Sequence, residues 1–134
     1  MKRACIAIVD ATRARLYTYE QDAPDDPAHE LREVLDLAHR AHEDTDVKFA
    51  KDIVAEVDRV VRTGDYGHVI VVASPKMLGD LRKCDAVLYR DGVIVDEIPR
   101  DLAKLTSPQL HDHLAQLKLL PPRQRLKQRW QGSC

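Results

Sequence analysis

The chain has 134 residues, of which 44% are hydrophobic and 32% charged, with a formal net charge of −1. That is one domain's worth of sequence, able to bury roughly two-thirds of its unfolded surface without help from a metal or a disulfide. Such a composition excludes a disordered chain, and no apolar run approaches the ~20 residues of a bilayer-spanning helix.

The opening Met1-Lys2-Arg3-Ala4-Cys5-Ile6-Ala7-Ile8-Val9-Asp10 has a basic end and an apolar stretch. It runs into Asp10, Arg13 and Arg15 without a small-residue cleavage site, so it reads as a buried first strand over Ala4–Asp10 rather than an export signal. A cytoplasmic protein is expected. Ala14–Glu20 alternates as a second strand, and Asp10-Ala11-Thr12-Arg13 suits the tight turn of a hairpin. Gln21–Pro27 is polar and broken by proline, a loop. Leu31–Leu37 reads as a third antiparallel strand, with a short helix as the competing reading.

The clearest helix runs from Asp46 to Arg62. Val47, Ala50, Val54, Val57 and Val61 recur at helical spacing, and Phe49, Ile53 and Val60 widen the stripe. Asp44 or Thr45 is placed to cap its start, and Gly64 to follow its end. His68–Ala73 is apolar without alternation, as befits a strand covered on both faces. Ser74-Pro75 then supplies an N-cap and a first-turn proline for a helix through Lys83. Ala86–Arg90 and Val93–Ile98 flank Asp91-Gly92 as a hairpin, or the first is a short helix and only the second a strand. Ser107-Pro108 repeats the cap-plus-proline pattern and opens a last helix with Leu110, Leu114 and Leu117, ended by Pro121-Pro122.

Cys5, Cys84 and Cys134 are far apart and form no CxxC pair, so reduced thiols are expected. Charge is unevenly placed. Glu20, Asp22, Asp25, Asp26, Glu30, Glu33 and Asp36 lie close together with Arg32 as the one base among them. Arg123, Arg125, Lys127 and Arg129 crowd a C-terminal segment free of acids. The reading is one α/β domain over residues 1–120 and a basic tail over 121–134.

A hairpin, a third strand, a long helix, a buried strand, a helix, a strand and a helix is a ribonuclease-H-like order. Val9-Asp10-Ala11-Thr12-Arg13-Ala14-Arg15-Leu16-Tyr17, Ile70-Val71-Val72-Ala73-Ser74-Pro75-Lys76-Met77-Leu78-Gly79-Asp80-Leu81-Arg82 and Glu97-Ile98-Pro99-Arg100-Asp101-Leu102, with Phe49-Ala50, resemble successive motifs of one family. That family is the bacterial host attachment proteins ("protein required for attachment to host cells"), itself similar to the middle domain of archaeal and eukaryotic peptide-chain release factors and Pelota. The resemblance spans most of the chain up to Leu117. It implies a mixed sheet with flanking helices and a partner in the ribosome, tRNA or structured RNA. The Gly-Gly-Gln tripeptide of release factors is absent, and the chain is short between Leu37 and Asp46, where longer relatives carry a Gly/Arg-rich segment. Peptide release is therefore not expected.

Asp10 is open to two readings. A first-strand aspartate can hold a divalent metal in a ribonuclease-H-like nuclease, with Glu33, Asp36, Asp96 or Asp101 as companions. Alternatively its carboxylate accepts backbone hydrogen bonds in the turn, which the lack of a recognisable metal motif favours. Arg13 and Arg15 share a face of the second strand and suit phosphate or ion pairs with nearby acids. Ser74 and Lys76 sit at a helix N-terminus, where anions bind, though an ordinary cap explains Ser74. His39 and His42 have a metal-ligand spacing but lie in a polar loop, and His111 and His113 point to different sides of their helix. The tail residues Arg123, Arg125, Lys127 and Arg129, with Trp130, suit phosphate neutralisation and base stacking, or packing of Leu126 and Trp130 on the domain or a second subunit. The reading that collects most of this is a non-catalytic RNA- or ribosome-binding domain, without catalytic residue, cofactor, metal or membrane. A metal-dependent phosphoester hydrolase using Asp10 and a homodimeric protein-interaction domain are the alternatives.

Overall fold

The computed structural model describes residues 2–21, 31–39, 46–84 and 92–122. Strands β1 (Lys2–Val9), β2 (Arg13–Gln21) and β3 (Arg32–Ala38) precede helix α1 (Asp46–Gly64), strand β4 (His68–Val72), helix α2 (Pro75–Cys84), strand β5 (Ile94–Ile98) and helix α3 (Ser107–Gln116). The five strands form one sheet in the order β3-β2-β1-β4-β5. β1–β2 and β2–β3 are antiparallel, whereas β1–β4 and β4–β5 are parallel. The segment expected as strand or short helix is thus a strand over Arg32–Ala38. Gln21, expected in the loop, belongs to β2 because it pairs with Lys2.

Strand periodicity divides the central strands between two cores. Cys5, Ala7 and Val9 of β1 meet Val69 and Val71 of β4 on the face covered by Phe49, Ile53 and Val57 of α1 and by Leu78 and Leu81 of α2. Ala4, Ile6 and Ile8 meet Ile70, Val72, Tyr17 and Tyr19 on the opposite face, under Leu110 and Leu114 of α3. This is why Ala4–Val9 of β1 and Val69–Val72 of β4 are apolar without a break: both faces are covered. On the α3 side the wholly buried His111 meets the Tyr19 ring edge-on, with 5.1 Å between centroids, and its Nε2 donates to the Pro121 carbonyl at 2.9 Å. The two α3 histidines do point apart, since His113 is half-buried beside Arg100.

Three helix ends differ from the sequence reading. The N-cap of α3 is Thr106, not Ser107: Thr106 Oγ1 accepts from the Gln109 amide, and the Gln109 side chain accepts from the Thr106 amide. This reciprocal capping box satisfies two end groups at once and displaces the cap by one residue. The same helix stops at Gln116, before Pro121-Pro122, because Lys118 turns into the left-handed region (φ 63°) and Leu119 N–H reaches back to the Leu114 carbonyl. Gly64 does not follow α1 but ends it. Asp65 takes the positive φ (55°), and Tyr66 N–H closes on the Val61 carbonyl. The need for glycine at position 64 is spatial, since a β-carbon there would lie 2.1 Å from Cε2 of the Tyr66 ring.

The loop 22–27, the Asp44 or Thr45 cap, His42, the Ala86–Arg90 segment and the tail 123–134 lie outside the described residues. No helix among the described residues is long and apolar enough to cross a membrane.

Candidate functional site

The sheet changes direction of growth at β1, which carries antiparallel β2 on one side and parallel β4 on the other. Open α/β sheets form ligand crevices beyond the carboxyl ends of such strands. Here a cleft of about 390 Å³ is lined by Val9, Asp10, Ala11, Thr12, Ser74 and Asp101. Asp10 follows β1, Ser74 follows β4 and Asp101 follows β5, so three strand ends bring together residues far apart in sequence.

Within this cleft the Asp10 carboxylate organises the chain. Its Oδ1 accepts from the Thr12 amide at 2.8 Å, the Thr12 hydroxyl at 3.0 Å and the Arg13 amide at 2.7 Å, while the Asp10 amide donates to the Arg13 carbonyl at 2.9 Å. An aspartate closing a turn by its own side chain accounts for these bonds. Asp101 caps its own turn, accepting from the Ala103 amide at 3.3 Å. The other proposed companions lie elsewhere in the fold: Asp36 is held by Arg13, Asp96 by His68 at 2.6 Å, and Glu33 is on β3 beside Tyr17. Among the described residues no group of three or more His, Cys, Asp or Glu is placed to hold a metal ion. With two carboxylates in the cleft, one of them using an oxygen for three hydrogen bonds, the donor set does not fit a nuclease metal centre, which requires several converging oxygen ligands.

Ser74 caps α2 as expected, its Oγ accepting from the Met77 amide at 3.3 Å. Lys76 in the first turn of α2 is 76% exposed and lies 3.7 Å from Asp80.

The family model described as "Protein required for attachment to host cells" matches residues 27–114, well over half of the chain. The chain belongs to the host attachment family. Among solved structures, RuvC from Thermus thermophilus superposes with a TM-score of 0.51 at 15% identity, covering 90% of this chain and 83% of that one. The family member therefore has a ribonuclease-H-like α/β fold. A Ppx/GppA phosphatase from Aquifex aeolicus matches at a TM-score of 0.44 and 12% identity over 73% of this chain, which spans only 36% of that enzyme. No curated protein matches the sequence.

The two arginines of β2 are held by the domain itself. Arg13 grips Asp36 with Nε on Oδ1 at 2.6 Å and a second guanidinium nitrogen on Oδ2. Hydrogen bonding to Arg13 holds the Asp36 carboxyl below its ordinary value, and the same contact raises Arg13. Arg15 donates to the Ala103 carbonyl and lies over the Tyr17 ring at 5.9 Å, tying β2 to the loop before α3. Arg13 thus makes an ion pair with the acidic stretch, Arg15 makes a backbone contact that was not expected, and neither lines the cleft. His39 stacks on Phe49 with 4.5 Å between centroids. The tail candidates Arg123, Arg125, Lys127, Arg129 and Trp130 lie outside the described residues.

A second pocket, not foreshadowed by any motif, lies at the other end of the sheet on the α1 side. It brings together Thr18, Arg32, Val34, Arg59, Val60 and Tyr66. The only hint in the sequence was Arg32, a lone base in an acidic stretch.

Proposed function

We propose that this chain is a non-catalytic binding domain that engages the ribosome, tRNA or structured RNA. The observation that carries the non-catalytic half is the Asp10 carboxylate, whose Oδ1 is committed to three hydrogen bonds of the β1–β2 turn. A nuclease reading needs that carboxylate joined by several others converging on one ion. The nucleic-acid half rests on composition and position: a C-terminal segment carrying Arg123, Arg125, Lys127, Arg129 and Trp130, and an exposed Lys76 at the N-terminus of α2. The sequence resemblance, which implies a relation to release-factor middle domains, would give the same class of partner.

Co-sedimentation of the purified chain with ribosomes across a salt series tests the proposal. Binding should fall linearly on logarithmic axes as phosphate contacts are screened, and truncation after Pro122 should flatten that slope. Absent or tail-independent binding would overturn it. Divalent-metal-dependent hydrolysis of a phosphodiester that Asp10→Asn abolishes would replace it with the enzyme reading.

A further inference from the structure

At the end of the sheet remote from Asp10, the chain builds a pocket of about 250 Å³ between α1 and strands β2 and β3. We propose that it binds a small organic carboxylate with a flat apolar body, the carboxylate held by Arg32 and Arg59.

The backbone makes room for it. In the β2–β3 ladder, Leu16 faces Leu35 while the next residue, Tyr17, faces Glu33, so Val34 has no partner across the ladder. A bulge of this kind on an edge strand re-aims a side chain. Val34 is 43% exposed, and it lines the pocket with Val60 of α1. Buried Tyr66 completes the apolar lining. Its ring lies against Gly64 and 5.0 Å beneath the Arg3 guanidinium, so it is fixed before any ligand arrives.

The charge in the pocket is positive. Its acid, Glu20, is paired with Arg3 at 2.7 Å. Arg59 uses Nε and one terminal nitrogen on a single oxygen of Glu56, at 3.0 and 2.8 Å. Arg32 has no ion-pair partner among the described residues. A guanidinium presents paired donors matched to a carboxylate, and here one arrives from a strand and one from a helix. Thr18, hydrogen-bonded to the Tyr66 side chain, also lines the pocket. An inorganic anion would leave Val34 and Val60 uncovered, and a neutral apolar molecule would leave Arg32 unanswered. An organic carboxylate satisfies both.

Benzoate serves as the probe, titrated into the ¹⁵N-labelled full chain and followed by amide chemical shifts. Saturable shifts at Thr18, Val34, Val60 and Tyr66 are expected, with benzamide and inorganic phosphate at least about tenfold weaker. Arg32→Met should weaken benzoate by about tenfold or more while the remaining spectrum is preserved, the loss expected for one charge-assisted contact. Arg59→Met, at another exposed position, provides an independent check should Arg32→Met perturb the fold. Shifts that never saturate, benzoate binding unchanged in both variants, or benzamide binding as tightly as benzoate would each overturn the assignment.

Discussion

Arg13 and Asp36 form a two-point ion pair across the β2–β3 ladder, two residues off direct register, since Arg13 faces Ala38 and Arg15 faces Asp36. The pair ties the turn that Asp10 organises to the edge strand. It holds the Asp36 carboxyl below its ordinary value of 3.8, chiefly through the hydrogen bond from Arg13. A carboxylate with a lowered folded-state value adds stability above its unfolded value and loses it as pH falls through the folded one. The loss should begin near pH 4 and continue downward. Both partners are substantially exposed (53% and 37%), so solvent screening keeps the contribution small. Carbon-detected titration of the Asp36 carboxyl should give a midpoint below the usual carboxylate range, and Arg13→Met should return it to that range. An unshifted midpoint in the parent chain would contradict the pair.

Asp10 separates a turn role from an ion-binding role by the chemistry of its substitutes. Asparagine keeps an Oδ1 acceptor for the Thr12 and Arg13 amides, and alanine removes it. Asp10→Ala should lower the unfolding free energy by about 1 kcal/mol, with Asp10→Asn within a few tenths of the parent. Urea denaturation of the three proteins measures this. Equal damage from both substitutions would show that the negative charge itself is required.

Cys5 lies at the centre of β1, wholly buried, and burial pushes its thiol up to about 12. The thiolate is the reactive form, and there is next to none of it at neutral pH. In the Cys84→Ser, Cys134→Ser background the native protein should resist an exposed-thiol reagent for hours and react within minutes in denaturant. Rapid labelling of the native state would place Cys5 at an accessible surface.

Gly64 and Tyr66 should couple. Gly64→Ala introduces a β-carbon where the Tyr66 ring lies, so the ring must leave its site between α1 and Arg3. The expected loss is about 1–3 kcal/mol, as for other overpacked positions. In the Tyr66→Ala background the same change should cost nearly nothing or stabilise the helix end, because alanine is the better helix former. Additive effects in this double-mutant cycle would deny the contact.

The elements were legible in the sequence because their signals are local. The helical stripe from Phe49 to Val61, the unbroken apolar run from Val69 to Ala73, and Ser74-Pro75 at the start of α2 each report their structure within a few residues, and Asp10 carried its turn chemistry in Thr12 and Arg13 beside it. Helix ends were less legible. Thr106 outcompeted Ser107 through a reciprocal bond with Gln109, and Gly64 answers to the ring two residues on rather than to a left-handed turn. The β1–β2 hairpin and the antiparallel third strand were legible, but which side chains meet across the sheet was decided by tertiary structure alone. Local patterning allowed Arg13 a phosphate as readily as an acid, and only the β2–β3 register set Asp36 within its reach. The same register isolates Val34 and places Arg32 opposite Thr18, over which the α1 residues Arg59 and Val60 close a pocket. Side-chain periodicity is local, but the residues that share a cavity are selected by strand order and helix packing, which join positions such as Thr18 and Arg59 that no short pattern relates.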